Sequence, residues 1–325
     1  MIRRVLLRSS RVALHRSFAA EFSPTTTRPA CSGYSSSSEG TSRLTNSTSV
    51  ERRRALCGFK DKLRLRGPGR VALNLDDSTG LATLLLDNHD KRNALSGKMM
   101  VQLADAVDDL EKWERGVGLI VHGAGGNFCA GADLSLAREH LVTSADGRLM
   151  CELMTDTLTR LRRLPLISVA AVDGAAIGGG AELCTSCDFR VAGPESSVRF
   201  VQVKMGVSTG WGGGARLTGI IGRRAALRLL AWSPLVSPAE GLALGLLDAV
   251  AAEEGAAFAE AQEFLGGVVD SNAREPVRAV KEVVAAADHP VSTELQRAEE
   301  DQFSALWGGK HNRTALESSP KGLTC

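Results

Sequence analysis

The 325-residue chain has little tyrosine, little aromatic content and almost no net charge. Its one tyrosine is Tyr34, near the N-terminus, so residues 71–325 have no tyrosine to serve as an acid or base. No run of about 18 or more uncharged apolar residues occurs, so no transmembrane helix is expected. The seven cysteines are scattered and odd in number. In a chain this long that excludes a disulfide framework and fits a reducing compartment. The histidines are isolated from one another. Cys184 and Cys187 form a C-x-x-C with no second ligand pair nearby. A structural zinc site needs four ligands, so this pair reads as helical i, i+3 neighbours on a buried face, and no metal is expected.

The near-zero charge conceals a division. Residues 1–70 hold fifteen Lys/Arg and four Asp/Glu, a net of +11; residues 71–325 hold 24 and 33, a net of −9. An acidic body argues against nucleic-acid binding, which needs clustered cations. Residues 1–20 carry five arginines and no acid, with Val5, Leu6, Val12, Leu14 and Phe18 spaced among them. This suits an amphipathic mitochondrial leader or a disordered basic segment. Ser- and Thr-rich residues 21–50 read as disordered. Residues 1–69 are therefore set apart as a basic leader, 70–253 as a core and 254–325 as a C-terminal helical region.

From residue 71 the pattern is globular and alternates strands with helices, which indicates an α/β fold. Residues 71–75 and 81–87 read as a hairpin around Gly80. Residues 96–113 read as a helix capped by Ser96, with Met99, Met100, Leu103, Val107 and Leu110 on one face. Residues 117–123 and 166–174 read as buried strands, 144–163 as a helix stopped by Pro165, and 188–193 and 198–201 as short strands. A helix opens at 178. Further helices are expected at 212–221, 222–231, 238–245, 256–269, 274–287 and 292–306.

Two glycine-rich loops follow buried strands: GGNFCAGADL (125–134) and DGAAIGGGAEL (173–183). Glycine lets backbone approach a ligand closely. Two such loops could aim N–H groups at one point and stabilise charge developing on a carbonyl oxygen; they could equally be tight packing turns. Gly174, Gly178 and Gly180 also fit the loose glycine pattern of short-chain dehydrogenases. Those enzymes need a downstream tyrosine, which this chain lacks, and the pattern falls mid-chain. Glu182 stands in the first turn after the glycines. It either complements the helix dipole or faces a carbonyl substrate.

Taken in order, these segments resemble the enoyl-CoA hydratase/isomerase (crotonase) family. Lys91-Arg92-Asn93-Ala94-Leu95 resembles its opening acyl-CoA motif. Phe128-Cys129-Ala130-Gly131-Ala132-Asp133-Leu134 resembles its first oxyanion loop, and Gly174 through Asp188 its second. Gly210-Trp211-Gly212-Gly213 with Arg216-Leu217 resembles its later pocket turn. The resemblance implies a spiral of ββα units with C-terminal helices that build trimers or hexamers. It implies an acyl-CoA thioester substrate, with no cofactor beyond the CoA it carries, no nucleic acid and no membrane. It makes Ala132 and Gly179 the oxyanion donors and Glu182 the first of two hydratase glutamates. Arg92, Asn93 and Ala94 would lie along the CoA, and Ala130, Asp133, Leu134, Gly178 and Trp211 would line the remainder of the site.

Lys204 falls where hydratases hold their second glutamate. Hydration splits water between an acid and a base, so this replacement disfavours it. Leu158-Thr159-Arg160, the run from Arg163 to Ala170, and Pro194-Glu195-Ser196 followed by Arg199-Phe200-Val201 are similar to the family's decarboxylating members. The implied reaction is decarboxylation of ethylmalonyl-CoA, and less readily of methylmalonyl-CoA, as metabolite repair. The alternatives are a hydratase or isomerase reaction and a non-catalytic binding protein. The resemblance implies the cytosol; the leader argues for the mitochondrial matrix.

Overall fold

A computed structural model describes residues 54–141, 143–205, 207–269 and 274–287, all within one compact unit, Val50–Cys325. The expected helix at 292–306 and the leader up to residue 53 lie outside the described residues.

The chain is α/β, built on a six-stranded, mostly parallel sheet. β1 (Arg70–Asp76) and β2 (Leu81–Asp87) form the expected antiparallel hairpin. β3 (Gly118–Gly123) and β4 (Ile167–Val172) continue the sheet in parallel. A separate pair comprises β5 (Ala175–Ile177) and β7 (Ser197–Arg199). β6 (Phe189–Ala192) and β8 (Ala249–Val250) complete the order β1-β2-β3-β4-β6-β8.

Strand residues alternate between two apolar faces, as expected of parallel strands covered on both sides. Leu119, Val121, Ala170 and Val172 enter the main core. Ile120, Val169, Ala171 and Val191 face a second cluster closed by Ala257, Ala261 and Leu265. The main core is roofed by α2 (Gly97–Lys112) and α4 (Ser144–Arg163). Ser96 caps α2 by accepting from Met99 N–H at 3.2 Å. Thr143 and Asp146 form a capping box on α4. The second face is covered by α8 (Ala257–Val269). α9 (Arg274–Ala286) packs on α4. Its Lys281, only 5% exposed, pairs with Asp188 and donates to Arg162 O at 2.8 Å.

The structure corrects the sequence reading in several places. A helix, α1, occupies 54–64, inside the segment set apart as leader. Its Phe59 and Leu63 are buried in the main core, and Arg66 O accepts from Lys98 N–H at 2.9 Å. The basic residues around it concealed two apolar anchors spaced one helical turn apart. The expected strand 166–174 is β4, and after Gly174 (φ 56°) the chain forms a further strand, β5, that was not expected. Short elements were missed: α3 (Leu134–His140), β8, and 3₁₀ turns at His89–Lys91 and Gln202–Met205. The expected division at 221/222 is a kink at Gly222 (φ 76°, ψ 160°) within α6 (Gly213–Trp232). α5 (Gly179–Cys184) and α7 (Pro238–Leu244) fall where helices were expected.

Candidate active site

The first glycine loop leaves β3 and is held on both sides. Asn93 is fully buried. Its Nδ2 donates to Ala124 O at 2.8 Å and Asn127 O at 2.6 Å, and its Oδ1 accepts from Asn88 N–H at 2.9 Å. On the other flank, Cys129 N–H donates to Ala175 O at 3.0 Å and Ile177 N–H to Cys129 O at 2.9 Å. The loop thereby lies alongside β5.

Ala132 forms a parallel bridge with Leu95. Leu95 N–H donates to Gly131 O at 2.7 Å, and Asp133 N–H donates to Leu95 O at 3.0 Å. In this pattern Leu95 bonds to the residues flanking Ala132, and the N–H of Ala132 itself is turned away. Among the described residues it has no protein acceptor. The same is true of the N–H of Gly179, the first residue of α5. Both residues are half-buried.

The two donors come from loops pressed together. A Cβ on Gly131 would stand 2.9 Å from Gly179 N, and a Cβ on Gly180 would stand 2.0 Å from Cys129 O. Only glycine permits these approaches. Gly178 precedes them at φ 56° and donates to Arg199 O at 2.8 Å.

Glu182 is 2% exposed. Its Oε2 accepts from Trp211 N–H at 2.8 Å and Gly213 N–H at 2.9 Å. Its Oε1 accepts from Gln202 Nε2 at 2.7 Å and from Gly210 N–H at 3.4 Å. Every donor is an N–H group, so the carboxylate acts here as an acceptor that ties the 210–213 turn to α5. Trp211 is 3% exposed, and its ring lies over Gly179. Arg216 closes the back of the turn, donating to Trp211 O at 2.6 Å and Glu182 O at 3.2 Å. Burial lowers its pKa to about 10, against the pull of Glu182.

The structure thus brings Ala132, Gly178, Gly179, Glu182 and Trp211 together. It commits other expected site residues elsewhere. The side chain of Asn93 cross-links two loops and is not free to contact CoA. Asp133 caps α3 through Ser135 N–H at 2.9 Å and pairs with Lys91 at 2.8 Å. Burial pushes its carboxyl up, but Lys91 and the Ser135 amide outweigh this and hold it below its ordinary value. Ala94 is buried, Ala130 is half-buried, and Arg92 and Leu134 are exposed. Lys204 is exposed in the 3₁₀ turn and, among the described residues, pairs with no carboxylate. Sequence reasoning missed Gln202. A lone polar residue in the apolar run Phe200–Val203 was the only hint, and no motif singles it out.

Cys184 and Cys187 are free and fully buried, as expected, but they are not helical neighbours: α5 ends at Cys184 and Cys187 lies in the bend beyond it. No group of three or more metal-ligating side chains occurs among the described residues.

The sequence profile of the enoyl-CoA hydratase/isomerase family matches residues 76–321. The chain belongs to the enoyl-CoA hydratase/isomerase family. Curated relatives include an ethylmalonyl-CoA decarboxylase from Danio rerio, 42% identical over 281 residues, spanning 84% of this chain and 92% of that one. Another, from Gallus gallus, is 44% identical over 266 residues, spanning 81% and 88%. Among solved structures, an enoyl-CoA hydratase from Bacillus anthracis superimposes with a TM-score of 0.69 at 26% identity, covering 76% of this chain and 94% of its own. A Geobacillus kaustophilus structure of the same fold gives 0.70 at 23% identity, covering 78% and 94%. Crotonase-family proteins act on acyl-CoA thioesters, and the α/β fold with its paired loops follows that family's architecture.

Proposed function

We propose that this protein decarboxylates ethylmalonyl-CoA, and less readily methylmalonyl-CoA, in a metabolite-repair role. The observation that carries the reading is the pair of uncommitted N–H donors at Ala132 and Gly179. A thioester oxygen accepting from both would hold the charge that develops as CO2 departs. The C–C bond breaks, its electron pair enters the thioester enolate, and no base is needed to make it. One such donor is worth about 2.7–4 kcal/mol in the transition state. CO2 is neutral, so the partly apolar surroundings of Trp211 and Gly178 favour its departure over retention of the anion. The step as written calls for no metal or further cofactor.

Hydration fits this site less well. It needs two groups exchanging protons with one water. Glu182 is held by N–H donors on both oxygens, and the expected partner position carries the exposed Lys204. The backbone of Arg92, Asn93 and Ala94 remains the proposed track for CoA, with the exposed Arg92 guanidinium available to its phosphates.

Assembly into a homotrimer or hexamer is supported by the family likeness and by exposed Leu227, Trp232, Leu235 and Leu242 on α6, α7 and the loop joining them. Light scattering tests it. The same likeness supports a cytosolic address, and imaging with and without residues 1–40 tests that.

The functional test offers purified protein ethylmalonyl-CoA, methylmalonyl-CoA and crotonyl-CoA, with CO2 release and hydration measured in parallel. CO2 release from the first two, fastest with ethylmalonyl-CoA, is expected. Hydration without CO2 release overturns the reading.

A further inference from the structure

Arg216 is a half-buried cation whose hydrogen bonds, among the described residues, all go to uncharged oxygens. One nitrogen, Nη2, donates to Trp211 O at 2.6 Å and to Glu182 O at 3.2 Å. Nε donates to Thr185 Oγ1 at 3.3 Å. Drawing a guanidinium out of water without a carboxylate bonded to it is costly, so its presence here invites an explanation. Its shape supplies one. A planar fork can serve several oxygens at fixed angles, and the point charge of an ammonium cannot.

Those oxygens join two elements. Glu182 lies in α5 and Thr185 caps its C-terminal end, while Trp211 belongs to the turn packed on its start. Trp211 N–H is held by Glu182 Oε2 at 2.8 Å. Its C=O has Arg216 as its only donor among the described residues. The next residue, Gly212, has φ 78°, and a glycine there leaves the 211–212 peptide plane free of the usual steric limits. Arg216 therefore holds Trp211 from its carbonyl side. A Cβ on Gly179 would stand 2.3, 2.5 and 2.8 Å from three atoms of the Trp211 ring. α5 has no side-chain cap at its N-terminus. Its start is held instead by Gly178 N–H on Arg199 O at 2.8 Å and by this indole.

We propose that Arg216 is a positioning residue for decarboxylation: it fixes Trp211 so that the indole presses on Gly179 and keeps the Gly179 N–H aimed at the thioester oxygen. This rests on the decarboxylase reading and its oxyanion donors. Arg216 acts without touching the substrate. Its effect falls on the charge that develops as CO2 leaves, so its loss lowers kcat more than it changes KM. Displacing a group in the site by about 1 Å costs about 10²-fold in rate.

The test is CO2 release from ethylmalonyl-CoA by the full chain, with kcat and KM measured separately for wild type, Arg216→Lys, Gly179→Ala and the double variant. Arg216→Lys keeps the cation and loses the fork. It is expected to lower kcat about 10²-fold and to leave KM within about threefold of wild type. Both substitutions act on one donor, so the double variant is expected to lie close to Gly179→Ala and well above the product of the two losses. A folded Arg216→Lys enzyme with kcat within about threefold of wild type, against the 10² expected, overturns the proposal. So does a loss confined to KM, or a double variant in which the two losses multiply. Arg216→Gln is neutral and still offers an amide donor; it is read by the same criteria should the Lys variant not fold. A slow Gly179→Ala beside an unchanged Arg216→Lys removes this inference alone; wild-type protein that releases no CO2 removes the decarboxylase reading with it.

Discussion

Replacing Gly179 by alanine tests the oxyanion site at its tightest contact. An ideal Cβ there would stand 2.3 Å from Trp211 Cζ3 and 2.5 Å from Cη2. Carbon atoms settle at about 3.5–4.0 Å, so the overlap exceeds an ångström. Trp211 cannot easily yield: it is 3% exposed, and its N–H is bonded to Glu182 Oε2 at 2.8 Å. The start of α5 must move instead, taking the Gly179 N–H with it. Overpacking of this kind costs about 1–3 kcal/mol, or roughly 2–12 °C in Tm for a domain of this size. Misplacing one oxyanion donor costs about 10²–10³ in kcat. KM should change less, because the donor acts mainly on charge that develops after binding. The assay is CO2 release from ethylmalonyl-CoA at 25 °C, with thermal unfolding followed in parallel. Gly147→Ala is the control: nothing lies within 4 Å of its Cβ, and it sits inside α4. It should raise stability by about 0.5–1 kcal/mol and leave kcat unchanged. A Gly179→Ala enzyme whose kcat stays within about threefold of wild type, against the 10²–10³ expected, would refute the assignment of that N–H.

Three further outcomes are expected. Lys281→Met should leave Asp188 facing the interior without its cation and destabilise the protein by about 3 kcal/mol, read as a lower urea midpoint; an unchanged midpoint would show that the Lys281–Asp188 pair does not hold α9. The Asp133 carboxyl is held below its ordinary value of 3.8, so it stabilises the fold above that value, and the contribution is lost as pH falls through the lower folded one. Asp133→Asn should therefore flatten the acid side of the stability profile as pH falls through and below the ordinary carboxyl value, and an identical profile in the two proteins would contradict this. Burial raises the thiol pKa of Cys184 to about 11 and of Cys129 to about 12, and raises Cys187 as well. A thiol reagent applied to native protein should label exposed Cys57 and spare these three, as peptide mass spectrometry would show.

Much of the fold was legible because its signals are local. Alternation marked the hairpin, apolar stripes marked α2 and α4, and glycine runs after strands marked both loops. Of the short elements that escaped, β8 exists only through pairing with β6, while α3 carried a local signal, the Asp133 cap, ahead of only seven residues. α1 was hidden by its charge, because Phe59 and Leu63 signify burial only once a core is present to receive them.

The site divides along the same line. By itself the sequence determined which backbone atoms could come close, since Gly131, Gly179 and Gly180 have no side chains to prevent it. It also determined that no tyrosine in residues 71–325 and no second carboxylate at Lys204 were available for other chemistry. Only the tertiary structure decided what those atoms do. The N–H groups of Ala132 and Gly179 are free because their neighbours' hydrogen bonds go to Leu95 and Arg199, residues distant in sequence. Glu182 is an acceptor because three amides of a later turn and the side chain of Gln202 converge on it. Hydrogen-bond commitment depends on every group within about 3 Å, and the chain brings those groups together only when it folds.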